Sequence, residues 1–323
     1  MCTAITLKTD GFYFGRTLDY ERSYGESVVI TPRRYPLNFG CGERVLNHYA
    51  IIGTALLTDT FPLYYDAMNE KGLCMAGLNF VGNACYGKDI AGKINVAQFE
   101  FIPYILSHCQ SVEEAEELLK AICVTDRAFS PDMPVAELHW LIADRHNCIT
   151  VECVKEGMKI YKNEVGVLTN NPPFDMQVFN LNNYMALSCE QPSSNFAQKL
   201  NLKAYSRGMG GMGLPGDLSS QSRFVRASFF KANSPDYGGE GESVNEFFHL
   251  LSSVAQPMGS CKVGEGYEIT LYSCCYSAES GTYYYTTYEN STLSAVRFSG
   301  VDLEGDKLLS YPHKKEQFIN YQN

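Results

Sequence analysis

The chain has 323 residues, 45% of them hydrophobic and 19% charged, the balance of an ordinary globular protein. Its 26 Lys and Arg against 36 Asp and Glu leave a formal net charge of -10, which argues against a nucleic-acid partner needing concentrated cations. No run of about 18 apolar residues exists to span a membrane, and no basic segment followed by an apolar one marks a signal peptide, so a cytoplasmic protein is expected.

Strand signals dominate the first third of the chain: Ala4–Leu7, Phe12–Leu18, Val28–Thr31, Tyr49–Thr54, Tyr64–Asn69 and Leu73–Asn79. They are short, rich in β-branched and aromatic residues, and divided by turn residues such as Thr9-Asp10-Gly11 and Asn69-Glu70-Lys71-Gly72. Ala97–Cys109 carries apolar residues at helical spacing, and Ser111-Val112-Glu113-Glu114 matches a capping box that opens a second helix running to Ile122. Strands return at Glu137–Asp144, Ile149–Val154, Met158–Lys162 and Val165–Thr169. The polar, Gly-rich stretch from Asn233 to Ser243 reads as a loop before a helix over Val244–Val254, and the chain closes on strands at Glu268–Ser273 and Tyr283–Tyr288. Strands in blocks and helices in blocks, without β-α-β alternation, predict an α+β fold of antiparallel sheets covered by helices.

Twelve cysteines run from Cys2 to Cys275 without a Cys-x-x-Cys motif, which reads as reduced, mostly buried thiols. The six histidines are scattered and form no His-Glu-x-x-His, so neither a metal nor any other cofactor is expected; they and Trp140 read as core or surface residues. The Gly208–Gly213 segment lacks the Lys-Ser/Thr of a phosphate-binding loop.

The most informative dipeptide is Met1-Cys2. Removing Met1 leaves Cys2 with a free α-amine beside its own thiol. An α-amine titrates near ~7.7 and a thiol near ~8.5, so the amine is poised to take the thiol proton. If Met1 stays, that nitrogen is a peptide nitrogen and the chemistry is blocked. Folding Phe12–Leu18 back on the first strand through Thr9-Asp10-Gly11 sets Cys2 opposite a position near residue 18, to within about two residues. Arg16 and Asp19 are then both candidates to approach Cys2, the first favouring a thiolate and the second orienting the α-ammonium; a surface ion pair is the bland alternative.

Met1-Cys2-Thr3-Ala4-Ile5-Thr6 with Phe14-Gly15-Arg16-Thr17-Leu18-Asp19 resembles the start of the choloylglycine hydrolases, the family of bile salt hydrolases and penicillin V acylases. The resemblance continues through Tyr65-Asp66-Ala67-Met68-Asn69-Glu70-Lys71-Gly72-Leu73, Ala76-Gly77-Leu78-Asn79-Phe80, Leu168-Thr169-Asn170-Asn171-Pro172, Leu214-Pro215-Gly216-Asp217 and Ser222-Arg223-Phe224. It implies a four-layer αββα sandwich over residues 1–323 as one domain, with Met1 removed and Cys2 as nucleophile flanked by Arg16 and Asp19. It implies oxyanion donors at Asn79 and at Asn170 or Asn171, with the family arginine at Arg223 and Arg226 as runner-up. The bland readings are an Asx turn before Pro172 and surface arginines. Penicillin acylases of the family carry Tyr at the position of Asn79, so the resemblance favours glycine- or taurine-conjugated bile salts as partner, in a homotetramer. Arg16, Asn79, Leu18, Phe61 and Tyr65, with the segment Ala128–Leu138, are the expected substrate contacts. A penicillin V or N-acyl homoserine lactone amidohydrolase of the same fold, and a catalytically silent binding protein, are the alternatives.

Overall fold

The computed structural model describes residues 1–58, 61–197 and 199–323. The chain opens on β1 (Cys2–Lys8) and β2 (Phe12–Tyr20), joined by the three residues Thr9 to Gly11. Their pairing sets Cys2 against Leu18, Thr3 against Thr17 and Ala4 against Arg16, inside the register expected from the turn. Directly opposed residues share a face of a sheet. Cys2, Ala4, Arg16 and Leu18 therefore lie on one face, and Thr3, Thr17 and Asp19 on the other.

This hairpin sits inside a six-stranded antiparallel sheet ordered Val167–Leu168, β1, β2, Ile269–Ser277, Thr282–Thr287 and Ser294–Arg297. An eight-stranded antiparallel sheet faces it, ordered Gly157–Lys162, Cys148–Val154, Leu138–Ala143, Cys74–Asn79, Pro62–Asn69, Ile51–Leu57, Ser27–Thr31 and Leu309–Pro312. In the eight-stranded sheet the two-residue period divides consecutive side chains between two cores. Val28, Ile30, Ile52, Met68 and Ala76 pack toward the other sheet, while Val29, Ile51, Ala67 and Met75 pack outward. Two helices, α1 (Phe101–His108) and α2 (Val112–Leu119), supply buried side chains to that outward core. Beyond α3 (Phe174–Asn180), two longer helices, α4 (Ser220–Asn233) and α5 (Glu240–Ser252), cover the six-stranded sheet. The result is the helix–sheet–sheet–helix layering expected for an α+β fold of this kind.

Some boundaries differ from expectation. Residues 97–100 do not open α1: Ile94–Ala97 is a strand, paired in parallel with Ile122–Thr125, so the first helix starts four residues late and the second stops at Leu119. Ser111 caps α2 by accepting from Glu114 N–H, but the Glu114 carboxylate accepts from Gln110 N–H rather than from Ser111, so the box closes one residue early. The Gly-rich stretch 233–243 is a loop only as far as Gly239; α5 begins at Glu240.

One glycine has a strict steric reason. A Cβ at Gly15 would fall 1.9 Å from the carbonyl oxygen of Cys274 on the neighbouring strand. Because the obstacle is backbone, Gly15→Ala must push the two central strands apart beside Arg16. The expected cost is about 3 kcal/mol, read as a lowered midpoint in thermal or urea unfolding.

Candidate active site

Two β-bulges shape the surroundings of Cys2. On Ile269–Ser277 the register against β2 slips between Thr270 and Tyr272, making Leu271 the extra residue beside the end of β2. On Pro62–Asn69 it slips between Asp66 and Tyr64, making Tyr65 the extra residue. Bulges turn a strand and free backbone groups at sites of this kind. Past the Asp66–Ala76 pair, Pro62–Asn69 no longer pairs with Cys74–Asn79, so Gly77 and Asn79 lose strand partners on that side. The Gly77 carbonyl turns instead to the hairpin and the Asn79 carbonyl to Asn170. Arg16 Nη1 donates to Gly77 O at 2.6 Å and to the bulged Tyr65 O at 3.2 Å, and Asn170 Nδ2 donates to Asn79 O at 2.8 Å. Phe80 N–H points the other way, to Glu137 O at 2.8 Å. By strand alternation Asn79 N–H lies on the freed side, and among the described residues it has no strand partner there.

Met1 is present, so the Cys2 nitrogen is a peptide N–H, and it donates to Asn170 Oδ1 at 2.8 Å. The same oxygen accepts from Arg223 Nη2 at 2.8 Å, while Arg223 Nη1 donates to Cys2 O and to Thr3 Oγ1, both at 2.6 Å. Arg223 is fully buried on α4, whose first turn Ser219 caps by accepting from Ser222 N–H. Burial lowers the Arg223 pKa, against the pull of Asp19 and Cys2. Arg226 turns away from this cluster, donating to the carbonyls of Pro215, Asp217 and Ser253.

Asp19 meets the N-terminus through its backbone. Its carbonyl accepts from the Met1 ammonium at 2.6 Å and its N–H donates to Met1 O at 2.9 Å. The carboxylate lies on the helix-covered face, accepting from Thr270 Oγ1 at 2.6 Å and Thr17 Oγ1 at 3.1 Å. Burial raises its pKa, opposed by Arg223 and by the Thr270 hydrogen bond. Glu268 completes the cradle by accepting from the Met1 ammonium at 2.6 Å. Nothing in the sequence marked Glu268 beyond its place at the start of a strand.

Asn170 and Asn171, equivalent in the sequence, part here. Asn170 is buried at Cys2; Asn171 is exposed and donates to Val81 O at 2.7 Å. Behind Asn170, the fully buried His139 links Glu152 Oε1 (3.0 Å) to Thr169 O (2.9 Å) and stacks on Phe80, and Ser220 Oγ accepts from Asn170 N–H at 2.8 Å. These residues fix the asparagine through contacts distant in sequence, which no local pattern displays.

A cavity of about 480 Å³ opens over Cys2, Arg16 and Asn79. Leu18, Leu63, Tyr65, Phe129, Met133 and Leu138 are among its walls, so the segment from 128 to 138 contributes as anticipated. Phe61 does not. It lies in the outward core, edge-on to Phe39 and Phe99 at 6.0 and 6.2 Å, and reaches the cavity only by backing Phe99. The residue precedes the strand Pro62–Asn69 rather than lying in a loop with Tyr65. Among the described residues no group of three or more His, Cys, Asp or Glu is placed to hold a metal, and no helix is long and apolar enough to cross a membrane.

Two facing antiparallel sheets between helical layers, with a thiol on the first residue of a central strand, define an N-terminal-nucleophile hydrolase fold. The chain belongs to the choloylglycine hydrolase family of linear amide C–N hydrolases, whose family model matches residues 2–311. It is 53% identical over 317 residues to the bile salt hydrolase/transferase of Lactiplantibacillus plantarum, covering 98% of each chain. It is 38% identical over 329 residues to the bile salt hydrolase/transferase of Clostridium perfringens, covering 100% of each. A solved structure of a Cys-to-Ala variant of the conjugated bile acid hydrolase from Clostridium perfringens superposes with a TM-score of 0.93 at 37% identity, covering 100% of both chains.

Proposed function

We propose that the enzyme hydrolyses the amide bond of glycine- or taurine-conjugated bile acids, with residues 1–323 as one domain and Cys2 as nucleophile after Met1 is removed. The observation that carries this is the placement of Cys2, its nitrogen held by Asn170, on the wall of a cavity of about 480 Å³ that combines apolar Leu18, Leu63, Phe129 and Leu138 with polar Arg16 and Asn79, the mixed lining that a rigid amphipathic substrate requires. Once free, the Cys2 amine takes the thiol proton. The sulfur attacks the amide carbonyl, and the amine returns the proton to the departing glycine or taurine. Water then cleaves the thioester. Asn79 N–H, without a strand partner, and the remaining hydrogen of Asn170 Nδ2 are the donors for the oxyanion. Arg223 holds the Cys2 carbonyl and Asn170 in register, and Arg16 supplies positive charge beside the sulfur. Leu18, Tyr65 and Asn79 contact substrate.

All twelve cysteines are unpaired, which supports a reducing, cytoplasmic setting. Phe179, Met185, Phe196, Tyr205 and Met212 expose apolar surface on one stretch of chain, which supports association into the homotetramer; light scattering at micromolar concentration measures it.

Initial rates on glycocholate, taurocholate, penicillin V and an N-acyl homoserine lactone test the substrate class, with the bile salts expected to lead. Asn79→Tyr keeps the backbone donor but fills space near the scissile bond. It is expected to shift the ratio of bile salt to penicillin V turnover about tenfold toward the penicillin, the worth of one good hydrogen bond and its geometry. Equal losses on both would confine Asn79 to general catalysis.

A further inference from the structure

We propose that Asp66 is the positioning residue of Arg16, a buried counter-charge that tempers the field Arg16 exerts on Cys2. The inference rests on Cys2 being the nucleophile. Arg16 is fully buried, and its donors are divided unevenly: Nε bonds Thr17 O at 3.1 Å and Nη1 bonds Tyr65 O and Gly77 O, but Nη2 is buried without a partner among the described residues. Among the described residues no carboxylate hydrogen-bonds the guanidinium. Asp66 Oδ2 stands 4.0 Å from Arg16 Nε, at the edge of ion pairing, because its oxygens are already occupied. The Tyr272 hydroxyl donates to Oδ2, and the Tyr276 hydroxyl and the Cys274 thiol donate to Oδ1.

Asp66 belongs to the eight-stranded sheet and its three donors to Ile269–Ser277 of the six-stranded one, so the carboxylate is clamped across the interface between sheets. The bulge at Tyr65 adjoins Asp66 and offers the Tyr65 carbonyl to Arg16. Burial pushes the Asp66 pKa up, countered by Arg16 and the two phenols. Burial alone would lower that of Arg16, but Cys2, Tyr272 and Asp66 outweigh it and raise it. The ionisable groups facing Asp66 include Arg16 from β2, Tyr272, Cys274 and Tyr276 from Ile269–Ser277, and Tyr283 from Thr282–Thr287; Arg16 from β2 and Arg223 from α4 interact with Cys2. Sharing Oδ1 and Oδ2 among three donors keeps the carboxylate from closing on Arg16, which leaves part of the positive charge for the thiol.

Two substitutions separate this role from a structural one, because they are expected to move one quantity in opposite directions. The readout is the pH at which iodoacetamide alkylation of Cys2 is half-maximal, followed on the N-terminal peptide by mass spectrometry, beside kcat and KM on glycocholate. Asp66→Asn keeps the shape and removes the charge, leaving Arg16 unopposed. The midpoint should fall by about one pH unit, and kcat should fall about tenfold with KM changed by less than about threefold. Tyr272→Phe removes a donor from Oδ2, lets the carboxylate close on Arg16, and should raise the midpoint. Parent-like midpoints in both variants, or shifts of the same sign, overturn the proposal. If Asp66→Asn does not fold, Tyr272→Phe decides alone: a raised midpoint supports the proposal and an unmoved one overturns it. In the parent protein, full turnover after complete Cys2 alkylation would sink the nucleophile itself and this inference with it, whereas inactivation with unmoved variant midpoints sinks only the inference.

Discussion

Cys2→Ala is expected to abolish hydrolysis of glycocholate, by at least about a thousandfold in kcat, in a protein that still folds. The proposed mechanism puts nucleophile and base on one residue, so truncating the side chain leaves an amine with no sulfur to activate. The fold should tolerate the change. Cys2 is buried at the start of a hairpin held inside the sheet by backbone pairing, and loss of one sulfur opens a small cavity costing about 1 kcal/mol. Cys2→Ser should retain a trace, since a hydroxyl is far less acidic and the amine at its side cannot ionise it as readily. Turnover by Cys2→Ala near the parent rate, in a preparation whose N-terminus is verified by mass spectrometry, would end the assignment. The same measurement on parent protein that retains Met1 should give no activity, because the Cys2 nitrogen is then the peptide N–H bound to Asn170.

How much of this was legible in the sequence depends on how local each feature is. The hairpin was, because β1 and β2 are short β-branched and aromatic strands around a three-residue turn; counting outward from it placed Cys2 against Leu18. Helix α4 was not, although it carries Arg223. Its apolar residues Phe224, Val225 and Ala227 sit among Ser, Gln and Arg, and its buried face includes Ser222, Arg223 and Arg226, so polar burial masks the helical period. Phe61 was misplaced for a related reason: an aromatic residue before a strand looks like a cavity wall, but Phe39 and Phe99, which come from elsewhere in the chain, pack against it and hold it in the outer core. Asp66 stood inside a family-like motif, yet its role depends on Tyr272, Cys274 and Tyr276 more than 200 residues away, brought to it by the packing of one sheet on another. The difference between Asn170 and Asn171 likewise emerged only when Ser220 and Arg223 arrived from α4.

Asn170 carries the second large expected effect, because one side chain makes three bonds at the reacting centre. Its Oδ1 accepts from Cys2 N and Arg223 Nη2, and its Nδ2 donates to Asn79 O. Asn170→Ala removes the orientation of the amine, leaves a buried Arg223 donor unsatisfied, and releases the Asn79 segment that offers the oxyanion donor. Loss of an oxyanion contact alone is worth about 10²–10³ in kcat, so a drop of at least a hundredfold in kcat, with KM moving much less, is expected. Asn170→Asp distinguishes positioning from donation. It keeps an acceptor for Cys2 and strengthens the pairing with Arg223, but it adds a negative charge beside the α-amine. That charge favours the ammonium form, which raises the pH at which the amine becomes a base. Activity should then survive in part, and the acid limb of its pH profile should move toward higher pH by about one unit. An unshifted profile in Asn170→Asp, together with an Asn170→Ala variant within tenfold of the parent, would mean that Asn170 is no more than a buried structural amide and that the oxyanion donors lie elsewhere.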